Sequence, residues 1–141
     1  MLKFREIGTY KNAVNVGYCT ADVKLHNGNV VTFDRTTKKA AVPTDGKEAG
    51  LAIVMNTIDK LNFLLRPAPN DYVIEVGENP RLFVLTSLKG RIIDMDMDQV
   101  DGTYADIAVG DFLVAEASGK LKAVKKATGV ADYKEDFVVS E

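Results

Sequence analysis

Val109-Gly-Asp-Phe-Leu-Val-Ala-Glu-Ala-Ser-Gly-Lys-Leu-Lys-Ala-Val124 reads as a complete β-hairpin. Gly110-Asp111 opens a strand over Phe112 to Ala115. Glu116 to Gly119 supplies a polar reversal with a glycine available for positive φ, and Leu121 to Val124 returns. A stretch nearer the N-terminus repeats the order of residue types at an offset of 82. Gly28 falls on Gly110, Asn29 on Asp111, Val30-Val31 on Phe112-Leu113, Asp34 on Glu116, Thr36 on Ser118, Lys38 on Lys120 and Ala41 on Ala123. Few are identities; the shared pattern is glycine, short polar, two apolar, acid, hydroxyl, lysine, alanine. Gly50-Leu51-Ala52 also matches Gly129-Val130-Ala131, at an offset of 79. The expectation is a mainly β, compact barrel- or sandwich-like fold with two related hairpins and little helix.

Composition narrows the function classes. The 141 residues fit one domain or two small β modules sharing a core, and the formal charge is −2, from 18 basic and 20 acidic residues. Such a balance argues against a phosphate-backbone binder, which needs a basic excess or stripe. No nucleic-acid partner is expected. Cys19 is the single cysteine, so no intramolecular disulfide and no CxxC unit can form. No apolar run approaches the ~18–20 residues of a membrane span, and the charges in Met1 to Gly8 do not suit a signal peptide. The expectation is a soluble chain folded in the cytoplasm, with no membrane partner.

Along the chain, residues 1–15 mix charged and apolar types without period and read as an N-terminal arm, with 16–141 as the β-rich domain. Asn27-Gly28 suits a tight turn. Gly50 to Met55 reads as a buried strand. Ile58, Leu61, Leu64 and Leu65 fall at helical spacing within Asn56 to Leu65, which leaves helix and irregular structure as equal alternatives before Arg66-Pro-Ala-Pro-Asn70 interrupts. The stretch 66–71 is the expected boundary if the domain divides into two β modules. Asp94, Asp96 and Asp98 alternate with Ile93, Met95 and Met97, which predicts one acidic face and one apolar face on an extended strand.

Few residues suggest chemistry. The aspartate row starts like a calcium loop, but Gln99 stands where the turn needs glycine and Ala105 where the bidentate glutamate belongs. A solvated strand face is the better reading, and no metal or cofactor is expected. His26 is the only histidine and lies beside a turn. Cys19 has no base near it in sequence and reads as a small core residue. Lys89, Arg91, Arg81 and Lys60 are candidates for a basic patch, but without the interleaved aromatics of a stacking platform. With no nucleophile–base pair and no phosphate or hydrolase motif, the chain reads as a non-enzyme.

The paired segments carry a resemblance. Gly28-Asn-Val-Val-Thr-Phe-Asp with Thr-Lys-Lys-Ala-Ala-Val-Pro and then Gly50-Leu-Ala-Ile-Val, and Val109-Gly-Asp-Phe-Leu-Val with Gly-Lys-Leu-Lys-Ala-Val and then Gly129-Val-Ala, resemble the capsid decoration, or head-stabilising, proteins of tailed bacteriophages. These segments cover about a third of the chain; residues 61–99 have no counterpart, and a neck, tail or fibre-base component fits the same pattern. The resemblance implies a virion structural role at the capsid surface for a protein made in the host cytoplasm. Its implied partners are the major capsid protein and further copies of itself, often as trimers. The arm is then the candidate capsid contact, with Leu2, Phe4 and Ile7 as anchors; the alternative is that they pack on their own domain. A small β-barrel binding module is the rival reading.

Overall fold

A computed structural model describes residues 2–56, 72–125 and 130–140. Its strands are β1 (Leu2–Phe4), β2 (Asn15–Val16), β3 (Thr20–Ala21), β4 (Leu25–His26), β5 (Val30–Asp34), β6 (Lys39–Ala41) and β7 (Ala52–Val54). They continue as β8 (Val73–Ile74), β9 (Leu82–Val84), β10 (Ile93–Met95), β11 (Val100–Asp101), β12 (Phe112–Ala115), β13 (Leu121–Val124) and β14 (Asp136–Val138). Among the described residues one α-helix appears, α1 (Ile7–Asn12), together with short 3-10 turns. The mainly β expectation is therefore met.

Both hairpins form. β12 pairs antiparallel with β13 from Phe112↔Val124 to Ala115↔Leu121, and β5 pairs antiparallel with β6 from Thr32↔Ala41 to Asp34↔Lys39. The agreement extends to their entry turns. Gly28 and Gly110 take φ of 95° and 90°, conformations that a side chain disfavours. The Asn29 N–H donates to the His26 carbonyl and the Asp111 N–H to the Ala108 carbonyl, each at 3.0 Å. A side-chain oxygen closes each turn from the other side. Asn29 Oδ1 accepts from the His26 N–H at 2.7 Å, and Asp111 Oδ2 from the Ala108 N–H at 2.8 Å. A short polar residue after the glycine is thus a local capping device, which explains why this position repeats.

The repeat is larger than a hairpin. One sheet contains the order β3-β6-β5-β7, and the other has the order β11-β13-β12-β14. In both, the first neighbours run parallel and the next two pairs antiparallel. Gly28 donates to Val54 and Gly110 to Val139, both at 2.8 Å; Val54 donates back to Asn29 and Val139 to Asp111, both at 2.9 Å. Val54 therefore corresponds to Val139, an offset of 85. This corrects the match of Gly50-Leu51-Ala52 with Gly129-Val130-Ala131. Gly129 lies outside the described residues, Val130 belongs to a 3-10 turn, and the strand equivalent to β7 is β14. The second loop is three residues longer, where the letter match implies one three residues shorter.

Two cores sit on opposite faces of the first sheet. Alternation along β5, β7 and β9 sends Val30, Ile53 and Phe83 to one side, where they meet Leu113, Ala115 and Leu121 of the second sheet. Val31, Ala52, Val54 and Leu82 point the other way, onto Cys19, Leu25 and Ile74. Burial on both faces is what the uninterrupted apolar run from Leu51 to Met55 encodes. Each large side chain so buried contributes roughly 1.5–3 kcal/mol. An exposed ion pair such as Lys24–Glu75 or Lys39–Asp22 contributes about 0–1 kcal/mol. The cores therefore hold the fold.

One expectation of organisation changes and another lies outside the described residues. Residues 2–16 are not a free arm: β1 pairs antiparallel with β10, Leu2↔Met95 to Phe4↔Ile93, α1 comes next, and β2 joins β9. The expected boundary at 66–71 lies outside the described residues, as does the Ile58–Leu65 periodicity. The strands after that boundary return to the first half, since β8 pairs with β4 and β9 with β7. The second sheet begins at Val100, so the change of sheet comes after β10.

Candidate contact surface

An open groove of about 820 Å³ lies between β10 and β14. Leu85, Leu88, Leu113, Phe137 and Val139 give it apolar lining, and Arg5, Lys89, Arg91 and Lys134 face it together with Asp94, Glu135 and Asp136. Its two strand walls are edges. Arg5 donates to the Ile92 carbonyl at 3.1 Å, so Ile92 and Asp94 turn their backbone groups toward β1 while Ile93 and Met95 turn theirs away. On β14, Val139 donates to Asp111 and Phe137 stands opposite Leu113. The backbone groups of Asp136 and Val138 consequently face away from β12. Among the described residues neither outward edge pairs with another strand.

The structure distributes the sequence candidates differently. Phe4 is 4% exposed and forms an aromatic cluster with Tyr10 and Phe83, at centroid distances of 4.7 and 5.0 Å. Its N–H also donates to the Tyr10 hydroxyl at 3.3 Å. Leu2 is half-buried against the same core, and Ile7 begins α1. Phe4 is thus a core residue, unavailable as an external anchor without unpacking β1. For Phe4 this is the alternative that the sequence left open; it could not decide, because a three-residue strand carries too little alternation and Lys3 and Arg5 make the stretch look solvated. Those charges have partners: Arg5 meets Asp94 at 2.7 Å, Lys3 meets it at 3.9 Å, and Arg91 meets Glu6 at 2.8 Å.

The aspartate row also resolves into separate roles. Ile93, Met95 and Met97 pack against the core as expected. Extended structure ends at Met95, however, and a 3-10 turn over Met97–Gln99 breaks the alternation. Asp94 is engaged by Arg5, Asp96 is half-buried and Asp98 is exposed. Among the described residues no three acidic, histidine or cysteine side chains converge as a metal site. Gln99, noted only for spoiling a calcium loop, is 6% exposed and lies directly over Gly28.

Cys19 is fully buried, and its thiol points at the Asp34 carbonyl at 3.9 Å. Burial pushes its pKa up, with the Asp34 charge adding to the effect, so the unreactive thiol form prevails. His26 is exposed on β4. Of the basic residues considered together, Arg81 sits over the Phe83 ring at 5.0 Å, Lys89 and Arg91 line the groove, and Lys60 lies outside the described residues. No helix among the described residues is long and apolar enough to cross a membrane.

Two carboxylates tie loops to the framework. Glu135 accepts from the Gly50 and Leu51 N–H groups at 2.9 and 3.1 Å, joining the second sheet to the start of β7. Burial raises its pKa, against the opposing pull of those two donors. Asp111 accepts from Lys125 as well as Ala108, and these bonds, Lys125 first, hold its pKa below the usual range. No family model, curated protein or solved structure matches the chain.

Proposed function

We propose that this chain is a non-catalytic virion structural protein that binds the outside of an assembled tailed-phage capsid and stabilises it. The observation that carries the reading is the paired hairpin sequence beginning at Gly28 and Gly110, the part of the chain that resembles decoration proteins. Its construction as the same unit twice supports treating both segments as one motif rather than as chance matches of letters. A cementing role asks for a rigid body with an apolar-centred contact patch and a polar rim, and the groove between β10 and β14 has that composition. The proposed partners are the major capsid protein and sister copies, with a trimer as the working assembly and the capsid surface as its place.

The test is to mix the purified chain with shells assembled from the major capsid protein of the same genome. Saturable co-sedimentation and a raised shell-disruption temperature are expected, with native mass spectrometry reporting a mass of three chains. Shells that neither retain the chain nor gain heat resistance would overturn the capsid reading. A monomer that still binds would remove only the trimer.

A further inference from the structure

We propose that the groove between β10 and β14 accepts an extended, acidic polypeptide segment, which adds to the second sheet as a strand beside β14. The internal repeat indicates what belongs there. In the first sheet the strand equivalent to β14 is β7, and β7 has a further neighbour, β9, running antiparallel from Ala52↔Val84 to Val54↔Leu82. The bonds are regular: Leu85 donates to Leu51 and Met55 to Arg81, both at 2.9 Å. Leu51, Ile53 and Met55 therefore turn their backbone groups to β9. Their equivalents are Asp136, Val138 and Ser140, and all three line the groove. Among the described residues, the slot filled by β9 in one module is open in the other.

Chemistry selects the occupant. A strand entering antiparallel to β14 would direct alternate side chains inward, toward Phe137, Val139, Leu85 and Leu88, and these positions call for apolar residues. The intervening side chains face outward beside Lys89 and Lys134, which make no ion pair among the described residues. Arg5 and Arg91 already engage Asp94 and Glu6, and the Glu135 carboxylate is held by the Gly50 and Leu51 N–H groups. That leaves Lys89 and Lys134 against the one exposed carboxylate of Asp136, and a net positive rim to meet a partner. Alternating apolar and acidic residues satisfy both sides. Val138 and Ile92, at 59% and 40% exposed, offer further apolar surface for the added strand to cover. Such a slot takes a strand whatever structure its donor belongs to.

The probe is a blocked synthetic peptide, Asp-Val-Glu-Leu-Asp-Val-Glu-Leu, with a twin carrying lysine at every acidic position. Binding is followed by amide hydrogen exchange and by titration calorimetry on the full chain. The acidic peptide is expected to bind at least about tenfold more tightly than its twin and to protect the Val138 amide from exchange. Val138→Pro removes an outward N–H while sparing the β12 ladder bonds of Phe137 and Val139, so it should abolish binding without lowering the melting temperature. Should that variant fold poorly, Lys89→Glu with Lys134→Glu provides the second arm, and it should reverse the preference between the two peptides. Equal binding of both peptides, binding without Val138 protection, or an unchanged preference after charge reversal would overturn the proposal. A free chain that already dimerises with Val138 protected would overturn it in favour of a second copy as the occupant.

Discussion

The two four-strand modules share their entry-turn chemistry, their strand order and the register of β7 on β5 with that of β14 on β12, yet differ in how far the surrounding chain completes them. The first has β9 beside β7 and a core on each face. Among the described residues the second leaves β14 at an edge and its outer residues exposed. Similar local sequence is therefore enough to specify a backbone unit, because glycine, a capping side chain and paired apolar residues act within a few positions. Burial is decided elsewhere, by segments such as Leu82–Val84 that have no counterpart beside β14 among the described residues.

Equivalent positions allow that contrast to be broken experimentally. Ile53 and Val138 correspond, but Ile53 is fully buried and Val138 is 59% exposed. Ile53→Ala should cost about 2–5 kcal/mol, whereas Val138→Ala should stay within about 0.5 kcal/mol, as measured by urea unfolding. Similar costs at the two sites would mean that the second module is as enclosed as the first.

The glycine pair comes next in size. Gly28→Val and Gly110→Val each force a side chain into positive φ, at about 1–3 kcal/mol. Gly28 carries an extra burden: a Cβ there would meet the Gln99 carboxamide at 2.2 Å, while nothing stands within 4 Å of one at Gly110. Gly28→Val should therefore lower the melting temperature more than Gly110→Val, and Asn29→Ser should be mild. Adding Gln99→Ala should rescue part of the Gly28→Val loss and none of the Gly110→Val loss. Equal losses would show that crowding by Gln99 is irrelevant.

These positions also separate the legible from the illegible. The hairpins, the Asn27-Gly28 turn and the buried run after Gly50 can be read from sequence because each rests on local rules. The offset of 82 is visible for the same reason. The register of β14 is not, since Gly129-Val-Ala copies letters whereas pairing is set by which of Phe137 and Val138 faces the core. The parallel pairs of β3 with β6 and β11 with β13 rest on two-residue strands, too short for a periodic signal. Phe4 reads as either a surface anchor or a core residue because its partners, Tyr10 aside, lie far along the chain. The groove could not be read at all, because an open strand edge is a property of topology.

The smallest expected effect is a pH dependence confined to one turn. Asp111 has a folded pKa held below its usual value by Lys125 and the Ala108 N–H. Its contribution is thus fully present above the ordinary carboxylate pKa of ~3.9 and is lost as pH falls through the lower folded value. Asn29, its counterpart, does not titrate. Asp111→Asn should flatten that part of the acid limb of the stability curve, and Asn29→Asp should add a new acid-sensitive step; thermal melts between neutral and acidic pH would report both.

The central claim is that one module is built twice and that, among the described residues, the second keeps open the outer strand edge that β9 covers in the first. Residue-resolved amide exchange on the isolated chain tests it most directly. Val54 and Val139, which donate inward to Asn29 and Asp111 at the same distance, should both be protected. Ile53, facing β9, should be protected as well, while Val138 should exchange at close to the rate of an unstructured amide. Slow exchange at Val138, matching Ile53, would contradict the account.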